Sequence, residues 1–335
     1  MIRMGVVGYG YWGPNLVRNF TACADTTVVA VCDSRDAQLN KMSALYPSVK
    51  ACKEYSCLLE DPSIDAIAIA TAVDSHFALA LQAIEAGKHI WVEKPFTATV
   101  DQGRKLLDEA AKRKLVVHVD HTFLYTAAVR KIRELVESGS LGELYYFDSV
   151  RVNLGLFQHD VNVLWDLAVH DLAIMEYILG CSPVEISATG ASHVQGQPED
   201  VANMTCFFER GLMAHFHVNW LAPVKIRQTL IGGSKKMIVY DDIVASEKVK
   251  VYDKGISVKT TDDIYKLLVQ YRSGDVWIPA LATTEALLAE AAHFADCVEH
   301  GAKPVSGGES GLNVVKILEA ATKSLKLRGS PVKIG

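Results

Sequence analysis

The N-terminal segment Met1–Gly13, MIRMGVVGYGYWG, decides how the chain begins to fold. Its apolar run Ile2–Val7 predicts a buried β-strand, and the run ends in a G-x-G-x-x-G turn that opens a helix. Gly8 permits the tight turn, Gly10 lets a ligand approach the backbone, and Gly13 allows close packing of helix on strand. Because the amino end of a helix attracts negative charge, this turn predicts a site for the pyrophosphate of a dinucleotide.

A carboxylate follows the second apolar run, Thr27–Cys32, at Asp33. A carboxylate in this position accepts hydrogen bonds from the adenosine ribose hydroxyls and repels a 2′-phosphate, which favours NAD over NADP. Arg35 lies two residues further on, where it would neutralise a 2′-phosphate. We therefore expect NAD, and NADP stays an alternative.

The first third of the chain alternates short apolar runs with amphipathic segments. The further predicted strands are Ala66–Ala70, His89–Val92 and Leu115–Val119. The predicted helices are Pro14–Phe20, Asp36–Leu45, Asp74–Glu85 and Val100–Lys112. Strands that are apolar throughout and separated by helices are typical of a parallel sheet buried on both faces. Residues 1–122 are therefore predicted to form an α/β Rossmann domain with a doubly wound parallel sheet.

The pattern changes after a predicted helix at Ala127–Glu137. Strand-like runs follow at Glu143–Val152, Glu185–Thr189, Ala202–Phe208, Leu212–Trp220, Arg227–Ile231, Lys236–Tyr240 and Val249–Tyr252. Helices are predicted at Leu164–Leu179, Thr284–Glu299 and Ser310–Leu327, and tight links such as Glu209–Gly211 indicate antiparallel pairing. Residues 123–335 are predicted to form an α+β domain with a large, mainly antiparallel open sheet, and Ser257–Pro279 a loop that crosses to a neighbouring subunit.

Composition limits the classes of partner. The 335 residues carry a formal net charge of −5, which gives no global attraction to nucleic acid or to an anionic membrane. The 7 cysteines are scattered without a C-x-x-C pair, so we expect neither structural zinc nor a disulfide framework. The chain shows neither a signal-peptide pattern nor an apolar stretch long enough to span a membrane. We expect a cytoplasmic protein with a small-molecule partner.

A lysine directly follows the fourth predicted strand, in Trp91-Val92-Glu93-Lys94-Pro95. A lysine in this position is partly desolvated, which suits it to proton chemistry. The stretch resembles the E-K-P signature of the glucose-fructose oxidoreductase, inositol dehydrogenase and rhizopine catabolism (Gfo/Idh/MocA) family. The resemblance implies that Lys94 lies beside the nicotinamide and the reacting hydroxyl.

A second matching element stands at the start of the helix Leu164–Leu179. Asp166 and His170 are four residues apart, so they share a helix face. This spacing resembles the family's D-x-x-x-H pair, in which the histidine takes the hydroxyl proton while hydride leaves for nicotinamide C4. The catalytic candidates are therefore Lys94, His170 and Asp166.

The resemblance spans nearly the whole chain and implies an NAD-dependent dehydrogenase acting on a sugar. The candidate cofactor-binding residues are Gly8, Gly10, Tyr11, Trp12, Gly13, Asp33, Ser34, Arg35, Thr71, His76, Glu93 and Lys94. The chain departs from many relatives at His118–Phe123, where they carry Asn-Arg or a similar polar pair. His121 nevertheless ends a predicted strand and faces the crevice where such sheets bind ligands.

Several polar stretches resemble the branch of the family that acts on nucleotide-linked sugars. The resemblance implies oxidation at C3 of a UDP-linked N-acetylated hexose or hexuronic acid. Arginine and lysine suit the diphosphate, and asparagine suits the sugar hydroxyls or an N-acetyl group. The candidate substrate-binding residues are His121, Arg151, Asn153, Asn162, Asn219, Lys225, Arg227 and Arg272.

Alternatives remain open for chemistry and assembly. The same scaffold suits NADPH-dependent reduction of a dTDP-linked 3-ketosugar, or a dinucleotide-binding sensor without turnover. His215 and His217 share a strand face, but no third ligand stands at a suitable spacing, so no metal site is expected. Alternating apolar residues on Ala202–Phe208 and Leu212–Trp220 predict a homodimer or homotetramer formed through the open sheet face.

Overall fold

The computed structural model describes residues 1–155, 161–253, 255–257, 270–272 and 274–335, the side chains of 255–257 and 270–272 excepted. The chain divides into two compact units. The first contains Met1–Thr126 and Thr284–Lys316, and the second contains Ala127–Thr283 and Ile317–Gly335.

The first unit is built on a parallel sheet with the strand order β3-β2-β1-β4-β5-β6. Its strands are β1 (Ile2–Val7), β2 (Thr26–Cys32), β3 (Lys50–Cys52), β4 (Ala66–Ile69), β5 (His89–Glu93) and β6 (Val117–Asp120). Its helices are α1 (Gly13–Ala22), α2 (Asp36–Leu45), α3 (Ser56–Leu59), α4 (Val73–Glu85) and α5 (Val100–Arg113). The order reverses between β1 and β4, and doubly wound sheets bind ligands at the carboxyl ends of the strands beside such a reversal. The predicted Rossmann fold is confirmed, with the short elements β3 and α3 as additions.

A helix from the C-terminal part of the chain completes this unit. This helix, Ala286–His300, follows residues 127–283 of the second unit in the chain, and its Phe294 is fully buried. Phe294 makes an edge-on ring contact with Trp91 of β5, and both belong to one apolar core with Phe20 of α1. The expected second domain was the continuous segment 123–335, whereas this helix belongs to the first unit. The reason is that its apolar face packs into the core beside the parallel sheet.

Cys52, at the end of β3, forms a disulfide with Cys57 in α3. The sequence predicted no disulfide framework, because the two cysteines are five positions apart without a C-x-x-C spacing. A short turn between strand and helix brings their Cα atoms to 6.3 Å.

The second unit contains a mixed sheet whose described strands have the order β16-β13-β12-β11-β7-β10-β9-β8-β17. These strands are β7 (Leu144–Leu154), β8 (Glu185–Ala191), β9 (Val201–Phe207), β10 (Met213–Asn219), β11 (Leu221–Gly233), β12 (Met237–Asp241), β13 (Val249–Tyr252), β16 (Val276–Trp277) and β17 (Val332–Lys333). The pair β7 and β10 is parallel and the other described pairs of this sheet are antiparallel. A separate two-stranded pair joins β14 (Gly255–Ser257) to β15 (Gln270–Arg272). The predicted mainly antiparallel sheet is confirmed.

One face of this sheet is buried, as the burial of alternate strand residues shows. The described helices after residue 126 are α6 (Ala127–Glu137) and α7 (Val169–Leu179) of the second unit, α8 (Ala286–His300, the helix described above) of the first unit, and α9 (Gly308–Lys326), which has residues in both. On β9, Met204 and Cys206 are buried and Phe207 is half-buried on the opposite face, as the alternation predicts. Most of the predicted loop Ser257–Pro279 lies outside the described residues. Among the described residues, no helix is long and apolar enough to cross a membrane.

Candidate active site

The glycine-rich turn between β1 and α1 leaves space above its backbone. Gly8 has a φ of +93°, and a Cβ there would lie 2.5 Å from the carbonyl oxygen of Ala70. A Cβ on Gly13 would collide with the Gly8 carbonyl oxygen, so helix and strand approach each other closely only because both residues are glycine. At Gly10 a Cβ would meet nothing closer than the Arg35 guanidinium at 3.4 Å. The turn therefore has the open approach that a pyrophosphate requires.

The two aromatic residues of the turn have different surroundings. The side chain of Tyr11 is exposed, whereas Trp12 is half-buried. The Trp12 indole Nε1 donates a hydrogen bond to Asp120 Oδ2 at the end of β6, with a distance of 3.0 Å. The turn is thus tied to the far edge of the sheet.

Asp33 and Arg35 form a bidentate pair at the end of β2. Arg35 Nε donates to Asp33 Oδ1 and Arg35 Nη2 donates to Asp33 Oδ2, each at 2.9 Å. The backbone N–H of Tyr9 also donates to Oδ2. The side-chain hydrogen bond from Arg35 lowers the pKa of Asp33 to about 2, so the carboxylate is ionised at neutral pH. Ser34, between them, is exposed.

Thr71 and His76 connect the loops after β4 and β5. The His76 ring nitrogens lie 3.0 Å from the carbonyl oxygens of Thr71 and Pro95, and the ring is buried. Burial lowers the pKa of His76, so the imidazole is neutral. The neutral ring has one N–H and donates to one of these two carbonyl oxygens, and a cofactor-binding role of His76 stays a prediction. Thr71 is half-buried, with Oγ1 at 2.6 Å from Ser75 Oγ.

Lys94 leaves the sheet directly after β5 and is half-buried. Its positive charge acts on three buried neighbours, Glu93, His76 and His121. Burial lowers the pKa of His121 to about 4 against the opposing carboxylate of Asp120, and the charge of Lys94 adds to the lowering. Among the described residues, neither ring nitrogen of His121 has a hydrogen-bond partner. The carboxyl edge of β5 and β6 therefore presents a lysine beside a neutral imidazole.

Asp120 and Glu290 are functional candidates that were not predicted from the sequence, and His118 was named only within the stretch His118–Phe123. Asp120 and His118 are buried on β6, and Glu290 is fully buried on α8. A signal for Glu290 existed, because it falls within the apolar stripe of α8, between Leu287 and Phe294. A carboxyl group in such a stripe needs a buried partner.

In the second unit, a π-helical turn at Leu164–Ala168 runs directly into α7. Asp166 lies in that turn, and its Oδ2 accepts a hydrogen bond from Trp220 Nε1 at 3.0 Å. His170 lies in the first turn of α7 and is half-buried. π-turns inside helices are frequent at functional sites, and the catalytic roles of Asp166 and His170 stay predictions.

Two of the proposed substrate residues have structural partners instead. Both Nε and Nη2 of Arg151 donate to the Asp171 carboxylate, at 2.8 and 2.7 Å, and the side chain of Arg151 is only 3% exposed. Asn162 Oδ1 accepts the backbone N–H groups of Leu164 and Trp165 and so caps the start of the helix. Both side chains are buried and held by these partners, which disfavours the predicted contacts of Arg151 with a diphosphate and of Asn162 with a sugar.

The remaining substrate candidates are more accessible. Lys225 is exposed in the irregular part of β11, where pairing with β7 breaks between Leu221 and Ile226. Arg227 is half-buried and donates to Asp242 at 3.2 Å. Asn153 and Asn219 are half-buried, and Asn219 Oδ1 accepts the N–H of Leu221. The side chain of Arg272 lies outside the described part of the chain.

The histidine pair of β10 is used in cross-strand hydrogen bonds. His215 Nδ1 lies 3.1 Å from Thr205 Oγ1, and His217 Nδ1 lies 2.9 Å from Asn203 Oδ1. Over the residues that the structure describes, no group of three or more His, Cys, Asp or Glu side chains is arranged to hold a metal ion.

Two family models match this chain. Residues 2–121 match the oxidoreductase family with the NAD-binding Rossmann fold, and residues 129–239 match the Gfo/Idh/MocA C-terminal domain. The chain belongs to the Gfo/Idh/MocA family. It is therefore an oxidoreductase, and its first unit is an NAD-binding Rossmann domain, as predicted.

Relatives within the Gfo/Idh/MocA family differ in their substrates. Myo-inositol 2-dehydrogenase of Thermotoga maritima is 25% identical and aligns over 98% of both chains. UDP-N-acetylglucosamine 3-dehydrogenase of Acidithiobacillus ferrooxidans is 28% identical over 64% of this chain and 66% of its own. A levoglucosan dehydrogenase solved with NADH and levoglucosan superposes with a TM-score of 0.83 over 99% of both chains, at 19% identity. That last similarity establishes the fold.

The Asp33–Arg35 pair predicts how cofactor preference responds to mutation. Asp33→Ser removes the carboxylate that repels a 2′-phosphate and releases Arg35 to meet it. We expect the preference for NAD over NADP to fall at least tenfold, or about 1.4 kcal/mol, in dissociation constants from fluorescence titration. Asp36→Ser is the matched control, since it removes a nearby exposed carboxylate that pairs with Lys53. Equal shifts in both variants would remove Asp33 from cofactor selection.

Proposed function

We propose that this protein transfers hydride from a ring hydroxyl of a sugar or polyol to NAD. The observation that carries the proposal is the position of Lys94, directly after β5 at the carboxyl edge of the parallel sheet. This is the edge at which doubly wound sheets bind their ligands, and the glycine-rich turn opens at the same edge. A positively charged group there meets the oxygen of a substrate hydroxyl next to the nicotinamide.

The residues of the chain then have distinct roles. NAD, when bound, supplies the hydride acceptor, and the protein supplies orientation and proton handling. Lys94 donates a hydrogen bond to the hydroxyl oxygen, which stabilises negative charge as the proton leaves. His170 accepts that proton at a ring nitrogen, and Asp166, one turn earlier in the helix, orients it.

For the substrate we propose a UDP-linked N-acetylated hexose or hexuronic acid that is oxidised at C3. The similarity to UDP-N-acetylglucosamine 3-dehydrogenase supports this class. Lys225 supports it too, as an exposed cation in an irregular strand segment six residues after the half-buried Asn219. With Arg151 held by Asp171, the proposed diphosphate contact depends on Lys225 and Arg272.

A second candidate is NADPH-dependent reduction of a dTDP-linked 3-ketosugar. Arg35 favours the use of NADPH, because the Arg35 side chain is 57% exposed. It would reach a 2′-phosphate by leaving Asp33. The same residues would then run the chemistry in reverse, with His170 returning the proton to the new hydroxyl.

We further propose that the protein forms a homodimer or homotetramer through the outer face of the second unit's sheet. This face carries partly exposed apolar residues, including Phe207 and Met213, between polar pairs such as His215–Thr205. Covering them would remove apolar area from water. We expect light scattering at micromolar concentration to give at least a dimeric mass, and a monomeric mass would contradict this assembly.

Catalysis should depend on Lys94 and His170 far more than cofactor binding does. We expect Lys94→Ala and His170→Ala each to lower kcat by about 10²–10⁴, because each removes a group that acts on the hydroxyl proton. The dissociation constant for NAD should change by less than about threefold. Lys105→Ala and His300→Ala remove the same residue types from exposed or half-exposed helix positions and are the matched controls. Near-wild-type turnover in either active-site variant would exclude that residue.

The substrate class is tested with a panel. UDP-N-acetylglucosamine, its uronic acid, dTDP-glucose, free N-acetylglucosamine and myo-inositol are assayed with NAD, and products are identified by mass and NMR. We expect kcat/KM to be highest for a UDP-linked sugar, and Lys225→Ala to raise the KM for that sugar by at least threefold while leaving kcat for a free sugar unchanged. A free sugar or inositol that matches every nucleotide sugar would overturn the substrate proposal.

A further inference from the structure

Four polar or aromatic side chains share one face of the sheet beneath Lys94. Trp91 and Glu93 are two positions apart on β5, so their side chains point to the same face of the sheet, and the same holds for His118 and Asp120 on β6. The parallel register pairs Trp91 with His118 and Glu93 with Asp120. Trp91 and His118 are stacked with ring centroids 4.4 Å apart. Glu93 and Asp120 are therefore neighbours by strand register.

Helix α8 adds a third carboxyl group to this face. Phe294 of α8 contacts the ring of His118, and Glu290, one turn earlier, places Oε1 2.9 Å from His118 Nε2. Asp120 acts on the carboxyl groups of both Glu290 and Glu93, through its charge and as a hydrogen-bond partner. The exposed fraction is 9% for Glu93, 2% for Asp120 and 0% for Glu290. Three carboxyl groups are thus buried together away from water, with Asp120 acting on the other two.

Contact between carboxyl groups requires protons, because an ionised carboxylate only accepts hydrogen bonds. Asp120 is already an acceptor at both oxygens: Oδ2 accepts from Trp12 Nε1, and Oδ1 accepts from the N–H and the hydroxyl of Thr122. Glu290 Oε2 and Glu93 Oε1 are buried without an N–H or O–H donor in the described part of the chain. The arrangement assigns the donor role to the two glutamates.

The electrostatics of the cluster agree with this assignment. Burial, followed by the charge of Asp120, raises the pKa of both Glu93 and Glu290 well above the ordinary value. The charge and the backbone N–H of Lys94 oppose the rise in the pKa of Glu93, and the backbone N–H of His121 opposes it at Glu290, without reversing it. Burial, with His293 and His121 adding to it, lowers the pKa of His118 well below its ordinary value, so this imidazole supplies no positive charge to the carboxyl groups.

We propose that Glu93 and Glu290 are positioning residues that stay protonated at neutral pH and donate to Asp120, which carries the negative charge of the cluster. Glu93, the glutamate of the E-K-P motif, is then a neutral hydrogen-bond donor and not the counter-ion of Lys94. Asp120 in turn fixes Trp12 of the glycine-rich turn and stands beside the edge from which Lys94 leaves the sheet. This assignment of protons is independent of the proposed function, and only its kinetic consequence rests on that function.

A proton held by Glu290 in the folded protein makes the free energy of unfolding depend on pH. An unfolded glutamate loses its proton near pH 4.3, whereas the folded Glu290 keeps it, so the unfolded state binds fewer protons above that pH. Wild-type stability therefore falls as pH rises from the unfolded pKa towards the folded pKa. Glutamine has no proton to lose, so the Tm of Glu290→Gln relative to wild type should rise by at least about 2 °C between pH 5 and pH 8.

Glu109→Gln is the matched control for that measurement. Hydrogen bonds from Lys112 and Arg113 lower the pKa of Glu109 to about 2, so its contribution is lost only as pH falls. The control should show no relative gain between pH 5 and pH 8. A constant or falling Tm difference for Glu290→Gln would show that Glu290 is ionised in the folded protein and would overturn the proposal.

Infrared spectroscopy detects the protons directly and needs no substrate. We expect wild-type protein at pH 7.5 to show carbonyl absorption of protonated carboxyl groups. That absorption should decrease in Glu290→Gln and, independently, in Glu93→Gln, and persist in Glu109→Gln. Its absence from the wild type would overturn the proposal even if the enzyme oxidises the proposed substrate.

Enzyme kinetics distinguish a hydrogen-bonding role of the Glu290 side chain from a space-filling one. Glu290→Leu fills the space but donates no hydrogen bond to Asp120, and we expect it to lower kcat at least tenfold and to weaken NAD binding through Trp12. Glu290→Gln keeps a donor and the neutral charge, so it should restore most of that loss. Failure of glutamine to restore more than leucine would contradict a neutral donor at this position. Failure of all substrates in the wild type would instead contradict the proposed function and leave the infrared and Tm results standing.

Discussion

The parallel register of β5 on β6 is the constraint on which the first unit's chemistry depends. It sets Glu93 beside Asp120 on one face of the sheet, and both strands end at the same edge. Lys94 and His121 therefore leave the sheet side by side. Any slip of this register by one residue would move the carboxyl groups to the opposite face and separate them from Glu290.

Burial decides what the polar residues around this edge are able to do. A buried polar group without a partner costs free energy, so each carboxyl group of the cluster must find a donor or keep its proton. Asp120 meets this requirement with N–H and O–H donors from Trp12 and Thr122. The cluster thus couples the glycine-rich turn to the strand that carries the lysine.

The second unit meets the same requirement with an ion pair. Arg151 of β7 and Asp171 of α7 are both buried and bound through two hydrogen bonds. Removing one partner of such a pair typically costs about 3–5 kcal/mol, because the other charge is left uncompensated. Asp171 directly follows His170, so the pair fixes the helical turn from which the proposed base projects. An arginine that looked like a ligand for phosphate is part of the support for catalysis.

The sequence by itself determined the features that depend on neighbouring residues. The glycine spacing, the apolar strand before Lys94 and the four-residue step from Asp166 to His170 indicate their structures through local geometry alone. The tertiary structure decided which polar side chains are buried and with what partner. His76, Arg151 and Asn162 resemble ligands in sequence, yet each is held by protein groups, and the carboxyl group of Glu290 finds its partner His118 only in the folded core. Such partners are brought together only when distant segments pack, because desolvation depends on the whole fold and not on the neighbouring sequence.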